Sequence, residues 1–175
     1  MILPTAMIVA GTGWSRSLAA TTDVIDDLSR PPPRASNGAD WELVADRVMG
    51  GVSNGSMHRE TVRGREAIHM QGDVSLENNG GFLQIALDLA PNGTSIDASR
   101  WSGLEIDVMV RPWQSYRHSF VAASEWRTLR LPFEEFEAHR IDAPLDTSTL
   151  RRIGIVAIGR AFHADVAIGG VRFHT

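Results

Sequence analysis

Carboxylates come first, because glycoside hydrolysis needs two of them on opposite sides of a sugar. Asp46 and Glu77 each stand beside a Gly-rich turn, in Asp46-Arg47-Val48-Met49-Gly50-Gly51 and Glu77-Asn78-Asn79-Gly80-Gly81. A lone carboxylate at such a turn more commonly accepts backbone amides than moves protons, so Asp46 is expected to hold its loop together, and Asn78 likewise. Glu134, Glu135 and Glu137 cluster on one short turn and point to water. The six histidines, at 58, 69, 118, 139, 163 and 174, form no i, i+2 or i, i+4 pair and join no carboxylate in a ligand spacing. Neither a metal nor a cofactor is expected. Gly51-Val52-Ser53-Asn54-Gly55 precedes no helix-like stretch, so it lacks the strand–turn–helix context of a nucleophile elbow. The same segment lacks both the dinucleotide and the Walker patterns. Its glycines read as a turn where strands cross closely.

Composition narrows the chemistry further. The chain has 175 residues, 43% hydrophobic and 22% charged, with a net charge of −4 and a pI near 5.8. That size supports one domain with its own core, and the acidic balance argues against nucleic acid as a partner. Without Cys there is no thiol catalysis, thiolate zinc site or disulfide. All 17 basic residues are Arg, which removes Schiff-base chemistry and a phosphate-binding lysine. No run approaches the roughly 20 apolar residues of a spanning helix, so the chain is not expected to be integral to a membrane. Met1–Ala10 is apolar, but nothing basic precedes Arg16 and Pro4 interrupts the stretch. Residues 1–22 are therefore read as a flexible extension on a cytoplasmic protein, periplasmic if 1–20 act as a signal peptide.

The elements that must position any site are short strands. Residues 29–40, with three consecutive prolines, read as a Pro-rich loop. Beyond it, Trp41–Val44, Ala67–Gln71, Phe82–Leu87, Leu104–Val110, Arg127–Leu131, Ile153–Ile158 and Asp165–Phe173 are strand-like. In Leu104–Val110 the even positions are apolar and Glu105 and Asp107 face the other way. Turn chemistry lies between the runs, at Asn54-Gly55, Asn79-Gly80-Gly81 and Pro91-Asn92-Gly93. Only Asp23–Leu28 and Phe133–Ala138 look helical. The fold class is all-β, an antiparallel sandwich, with residues 23–175 as one domain. Trp41, Trp101 and Trp126 introduce strands and belong to the core or a sheet edge; Trp113, with Gln114 and Tyr116, sits in a polar loop and is the best-placed aromatic for a contact.

These residues together resemble a known family. Trp41-Glu42-Leu43-Val44-Ala45-Asp46-Arg47-Val48-Met49-Gly50-Gly51-Val52-Ser53-Asn54-Gly55 resembles the opening motif of the complex I intermediate-associated family. Gly72-Asp73-Val74-Ser75-Leu76-Glu77-Asn78-Asn79-Gly80-Gly81-Phe82 is similar to its second motif, and Trp101-Ser102-Gly103-Leu104 and Trp126–Phe133 to later ones. The resemblance implies a galactose-binding-domain-like jelly roll. It also implies a non-catalytic, chaperone-like protein-binding module, with complex I (NADH:ubiquinone oxidoreductase) subunits as partners. A carbohydrate-binding module is the alternative. The implied contact surface is Asp46, Arg47, Met49, Gly50, Gly51 and Ser53, then Asn78, Asn79, Gly80, Gly81 and Phe82, with Trp113, Gln114 and Tyr116. The chain departs from the family pattern after Val110, where a strand region is shortened. That departure implies an exposed sheet edge, a re-paired sheet, or an oligomer formed through the edge.

Overall fold

The computed structural model describes residues 22–110, 125–137 and 144–175, with the backbone alone of 5–10, 18–19 and 110. Among these residues, strands form two sheets. The first contains β1 (Thr5–Ala10), β2 (Leu18–Ala19), β4 (Trp41–Ala45), β7 (Phe82–Asp88), β8 (Ile96–Asp97) and β11 (Leu150–Ile158), in the order β2-β8-β11-β7-β4 with β1 along β11. The second contains β3 (Val24–Asp26), β5 (Asn54–Val62), β6 (Arg65–Val74), β9 (Gly103–Val110), β10 (Arg127–Pro132) and β12 (Phe162–His174), in the order β10-β9-β12-β6-β5 with β3 against β12. Apart from the two-residue β2–β8 contact, which is parallel, the ladders are antiparallel. This is the expected all-β jelly-roll sandwich.

Period-two patterning builds the core between the sheets. Leu104, Ile106 and Val108 of β9 meet Leu83, Ile85 and Leu87 of β7 and Ile153 and Ile155 of β11 in one buried cluster. Trp41 and Trp101 are buried, and Trp101 stacks on Phe173 at 4.6 Å between ring centroids. Each strand expected from the sequence is present. The strand β5 is additional: it begins at Asn54, and the hairpin reverses instead at Arg63-Gly64, both at positive φ.

Two local readings are corrected, and a third is decided between its alternatives. Asp23–Leu28 is not helical; Val24–Asp26 pairs with Val171 and Arg172, because Ile25 needs the core and β12 has an open flank there. Residues 1–22 are not wholly an extension: Thr5–Ala10 lies along β11 from Leu150 to Val156, covering backbone groups that would otherwise form an open edge. Of the outcomes implied by the departure after Val110, an open edge along β9 is not found, since β10 pairs with it from Arg127↔Val108 to Pro132↔Gly103. Residues 29–40 do form a loop, and it is anchored. Ala35 and Ala39 are buried, and Arg34 pairs with Asp40 at 2.7 Å. Among the described residues no helix is long and apolar enough to cross a membrane.

Candidate functional site

At one end of the sandwich, β4 runs into a 3-10 turn, Asp46–Met49, and β6 leads through a second, Glu77–Asn79, into β7. The two turns meet on Asp46, whose side chain is fully buried. Its Oδ1 accepts the Ser53 amide at 2.9 Å, and Oδ2 accepts the Gly81 amide at 2.6 Å, the Phe82 amide at 3.2 Å and the Ser53 hydroxyl. The Ser53 hydroxyl in turn accepts the Ser75 amide at 2.9 Å. Gly159 donates to the Gly81 carbonyl at 3.3 Å, so the β11–β12 turn joins the same assembly. One carboxylate thus ties together loops far apart in the chain.

The glycines make room for it. A Cβ at Gly51 would run into the Asp46 carboxyl group, and one at Gly80 would lie 2.6 Å from Oδ2. Burial alone would push the Asp46 carboxyl up; the Ser53 hydroxyl and the Gly81, Phe82 and Ser53 amides outweigh it and hold the group below the usual carboxylate range. Asp46 is therefore an ionised structural acceptor, with no proton to give. Ser53 is buried and bonded to that carboxylate, and β5 rather than a helix follows it, so it is not placed as a nucleophile.

The other sequence-derived residues fall around this centre. Arg47 is exposed and its Nε donates to the Ser53 carbonyl at 3.2 Å. Met49 is exposed, and Gly50 closes the first turn at φ 88°. Asn78 and Asn79 are exposed and contribute left-handed backbone, φ 55° and 59°, whereas Asn78 had been expected to bind amides through its side chain. Trp113, Gln114 and Tyr116 lie outside the described residues. Sequence reasoning missed Val48, Val52, Leu76 and Ile158, which are exposed like Met49 and stand on these loops or at the end of the adjoining β11; apolar residues in a Gly-rich loop were the available signal. It also missed Asp26, buried behind the Pro-rich loop. Its Oδ1 accepts Leu28 and Ser36 amides at 3.0 Å and its Oδ2 accepts Trp41 Nε1 at 2.7 Å.

Polar side chains on the outward face of the second sheet are already paired. Glu105 and Asp107 face outward as expected, yet both are nearly buried. Arg130 Nε reaches Glu105 Oε2 at 2.8 Å, Arg172 reaches Oε1, and Arg65 reaches Asp107 at 2.9 Å. The Arg130 contact foremost, joined by Arg172, holds the Glu105 carboxyl below its ordinary range against the effect of burial. His69 lies between Glu60 and Asp165, at 2.6 and 2.8 Å, with both ring nitrogens engaged. Among the described residues no three potential metal ligands converge.

Known proteins bear on this arrangement. Residues 33–112 match the family model of Complex I intermediate-associated protein 30, CIA30. This is the family that the sequence motifs resemble. The matched span is just under half of the chain and includes both loops tied by Asp46. A search of curated protein sequences finds no match. Among solved structures, this chain is similar to the family 11 carbohydrate-binding module of the cellulosomal cellulase Lic26A-Cel5E of Clostridium thermocellum. The TM-score is 0.63 at 14% identity, covering 89% of this chain and 95% of that one. A solution structure of CtCBM11 gives a TM-score of 0.60 at 13% identity, covering 90% and 98%. At such identity the likeness shows the fold alone.

Proposed function

We propose that this chain is a non-catalytic protein-binding module of the assembly-factor type, docking through the loops that Asp46 joins. One observation carries the reading. Val48 is 75% exposed, Met49 66%, Leu76 52%, Val52 40% and Ile158 39%; among the described residues these are all the exposed large hydrophobics, and all stand on the joined loops or beside them. Scattered apolar residues on a surface need no explanation, but a cluster at one tip does. The loops beneath are fixed by buried hydrogen bonds, so little ordering is left to oppose binding. The CIA30 match supports a subunit of complex I, or an intermediate in its assembly, as the partner.

The test is affinity capture from detergent-solubilised lysate of the source organism, read by mass spectrometry, with Val48→Ser/Met49→Ser as the comparison. Enrichment of NADH dehydrogenase subunits by the parent and not by the variant is expected. Equal recovery by both proteins, or recovery of unrelated proteins only, overturns the partner assignment.

Carbohydrate binding is the second reading. It is favoured by Trp126, half-buried with Arg65 4.6 Å over its ring, beside Thr128 on the outward face of the second sheet. The two solved neighbours are carbohydrate-binding modules by name. Tryptophan fluorescence that stays unchanged across a broad glycan panel removes it.

A further inference from the structure

The strand β12 runs from the Asp46 end of the sandwich to a second feature at its other end. Thirteen residues at about 3.3 Å each span roughly 40 Å, so the two places are separate and the inference here does not rest on the docking reading. At the far end, where Gly103, Pro132 and His174 lie side by side in the sheet, a cleft of about 520 Å³ opens. It is lined by Arg100, Arg130, Arg172 and His174, with Glu105 and Asp23 among them and Trp101 at its wall.

Arg172 is engaged by Glu105 and faces Asp107 at 3.8 Å, whereas Arg130 is held and yet retains donors. Glu105 accepts Arg130 Nε on one oxygen and Arg172 on the other, which sets both groups beside one buried carboxylate. Arg130 gives only its Nε to that pairing, so its two Nη groups remain as a planar fork, the shape that receives a carboxylate or phosphate through two parallel hydrogen bonds. Its side chain is 71% exposed. The Arg100 guanidinium carbon sits over the Trp101 ring, 4.1 Å from its centroid, a contact that helps to place it. His174 has no strong partner: Nε2 is buried without one, and Nδ1 reaches only the Thr175 carbonyl at 3.4 Å.

We propose that this cleft binds a small organic oxyanion, a carboxylate or a phosphate ester, with Arg130 as the bidentate anchor and Arg100, Arg172 and His174 around it. The volume lies in the range of sites for small molecules and far exceeds the roughly 30 Å³ share of one water.

The experiment is an NMR titration of the full chain with succinate and, separately, inorganic phosphate. The His174 ring signals are followed, assigned by their loss in His174→Gln. Saturable shifts with one probe or both are expected, and the stronger probe identifies the oxyanion. Arg130→Lys keeps the charge but removes the fork, and a half-saturation concentration at least tenfold higher is expected. Arg100→Gln, which removes no partner from a buried carboxylate, is expected to weaken binding as well. Two results overturn the proposal. One is that neither probe shifts the His174 signals saturably. The other is that both variants titrate like the parent, which leaves an adventitious ion only.

Discussion

The amide of Gly81 donates to the Asp46 carboxylate at 2.6 Å, across 35 positions of sequence and between two different strand connections. Ser53, on the Asp46 side, bonds to the same carboxylate and also receives the Ser75 amide from the other loop. Neither loop has a helix or a long ladder to hold it. Their shape depends on a single buried anion and the donors that surround it, as an unpaired buried donor is costly.

Replacing Asp46 by Asn keeps the volume but puts an amide where donors already converge. Asp46→Asn is expected to cost about 2–4 kcal/mol in urea unfolding, the penalty for buried groups left without partners. Ser53→Ala removes one donor to the carboxylate and the acceptor of the Ser75 amide but leaves the Ser53, Gly81 and Phe82 amides on Asp46, and is expected to cost about 1–3 kcal/mol. Amide protection at Gly81 and Phe82 should fall in both.

The adjacent glycines should respond differently. Gly50 sits at φ 88° with open space around its Cα, so Gly50→Ala meets only backbone strain, about 1 kcal/mol. Gly51 has no such strain, but its Cβ would enter the Asp46 carboxyl group. Gly51→Ala is therefore expected to lose about 2–4 kcal/mol by displacing the group that joins the loops. Thermal unfolding of the two variants side by side measures the difference; a more damaging Gly50→Ala counts against the close approach.

How far this end of the molecule could be read beforehand depends on the residue. Asp46 was legible, because a carboxylate in a turn rich in glycine has few roles besides accepting amides. Its full burial, and its reach into the second motif, were not, because a contact across 35 residues leaves no local pattern. The strands with strict alternation, such as Leu104–Val110, were legible for the reason that one face needs a core. Asn54–Val62 was missed because Asn-Gly at its start imitates a turn and its residues are mostly polar; among the described residues it pairs with β6 alone, at the border of the sheet. Val24–Asp26 was misread since three residues carry no period. Near-burial of Glu105 and Asp107 was invisible, because the arginines that cover them come from β10, β12 and β6.

Acid should weaken the fold through these carboxylates, and the sign follows from the direction of their shifts. Asp46 and Glu105 are held below their ordinary values in the folded chain, and hydrogen bonds from Ser36 and then Ser29 bring Asp27 to about 2. The unfolded chain, with carboxyls near 4, takes up protons first as pH falls. The stability they contribute is complete above about pH 5 and is lost as pH drops through the unfolded values toward the folded ones. Urea midpoints measured from pH 7 to pH 2.5 should show the loss below about pH 5, with a shallower slope in Asp46→Asn. An identical slope in that variant removes Asp46 from the effect.

Asp26, at the end of β3 in the second sheet, and Trp41, at the start of β4 in the first, form a second tie, and Asp26 also holds the Pro-rich loop through the Ser36 amide. Trp41→Phe keeps most of the buried ring but removes the Nε1 donor, leaving Asp26 Oδ2 buried with no other hydrogen bond described to it. A loss of about 1–3 kcal/mol is expected, more than the small change in apolar volume accounts for. Asp26→Asn also disturbs the Leu28 and Ser36 amides on Oδ1, so its cost should be larger than that of Trp41→Phe. Once Asp26 is replaced, the Trp41 change has less to lose. A double-mutant cycle in urea should therefore give a coupling of about 1–2 kcal/mol. Additive losses would mean that the bond seen at 2.7 Å contributes nothing to holding the loop.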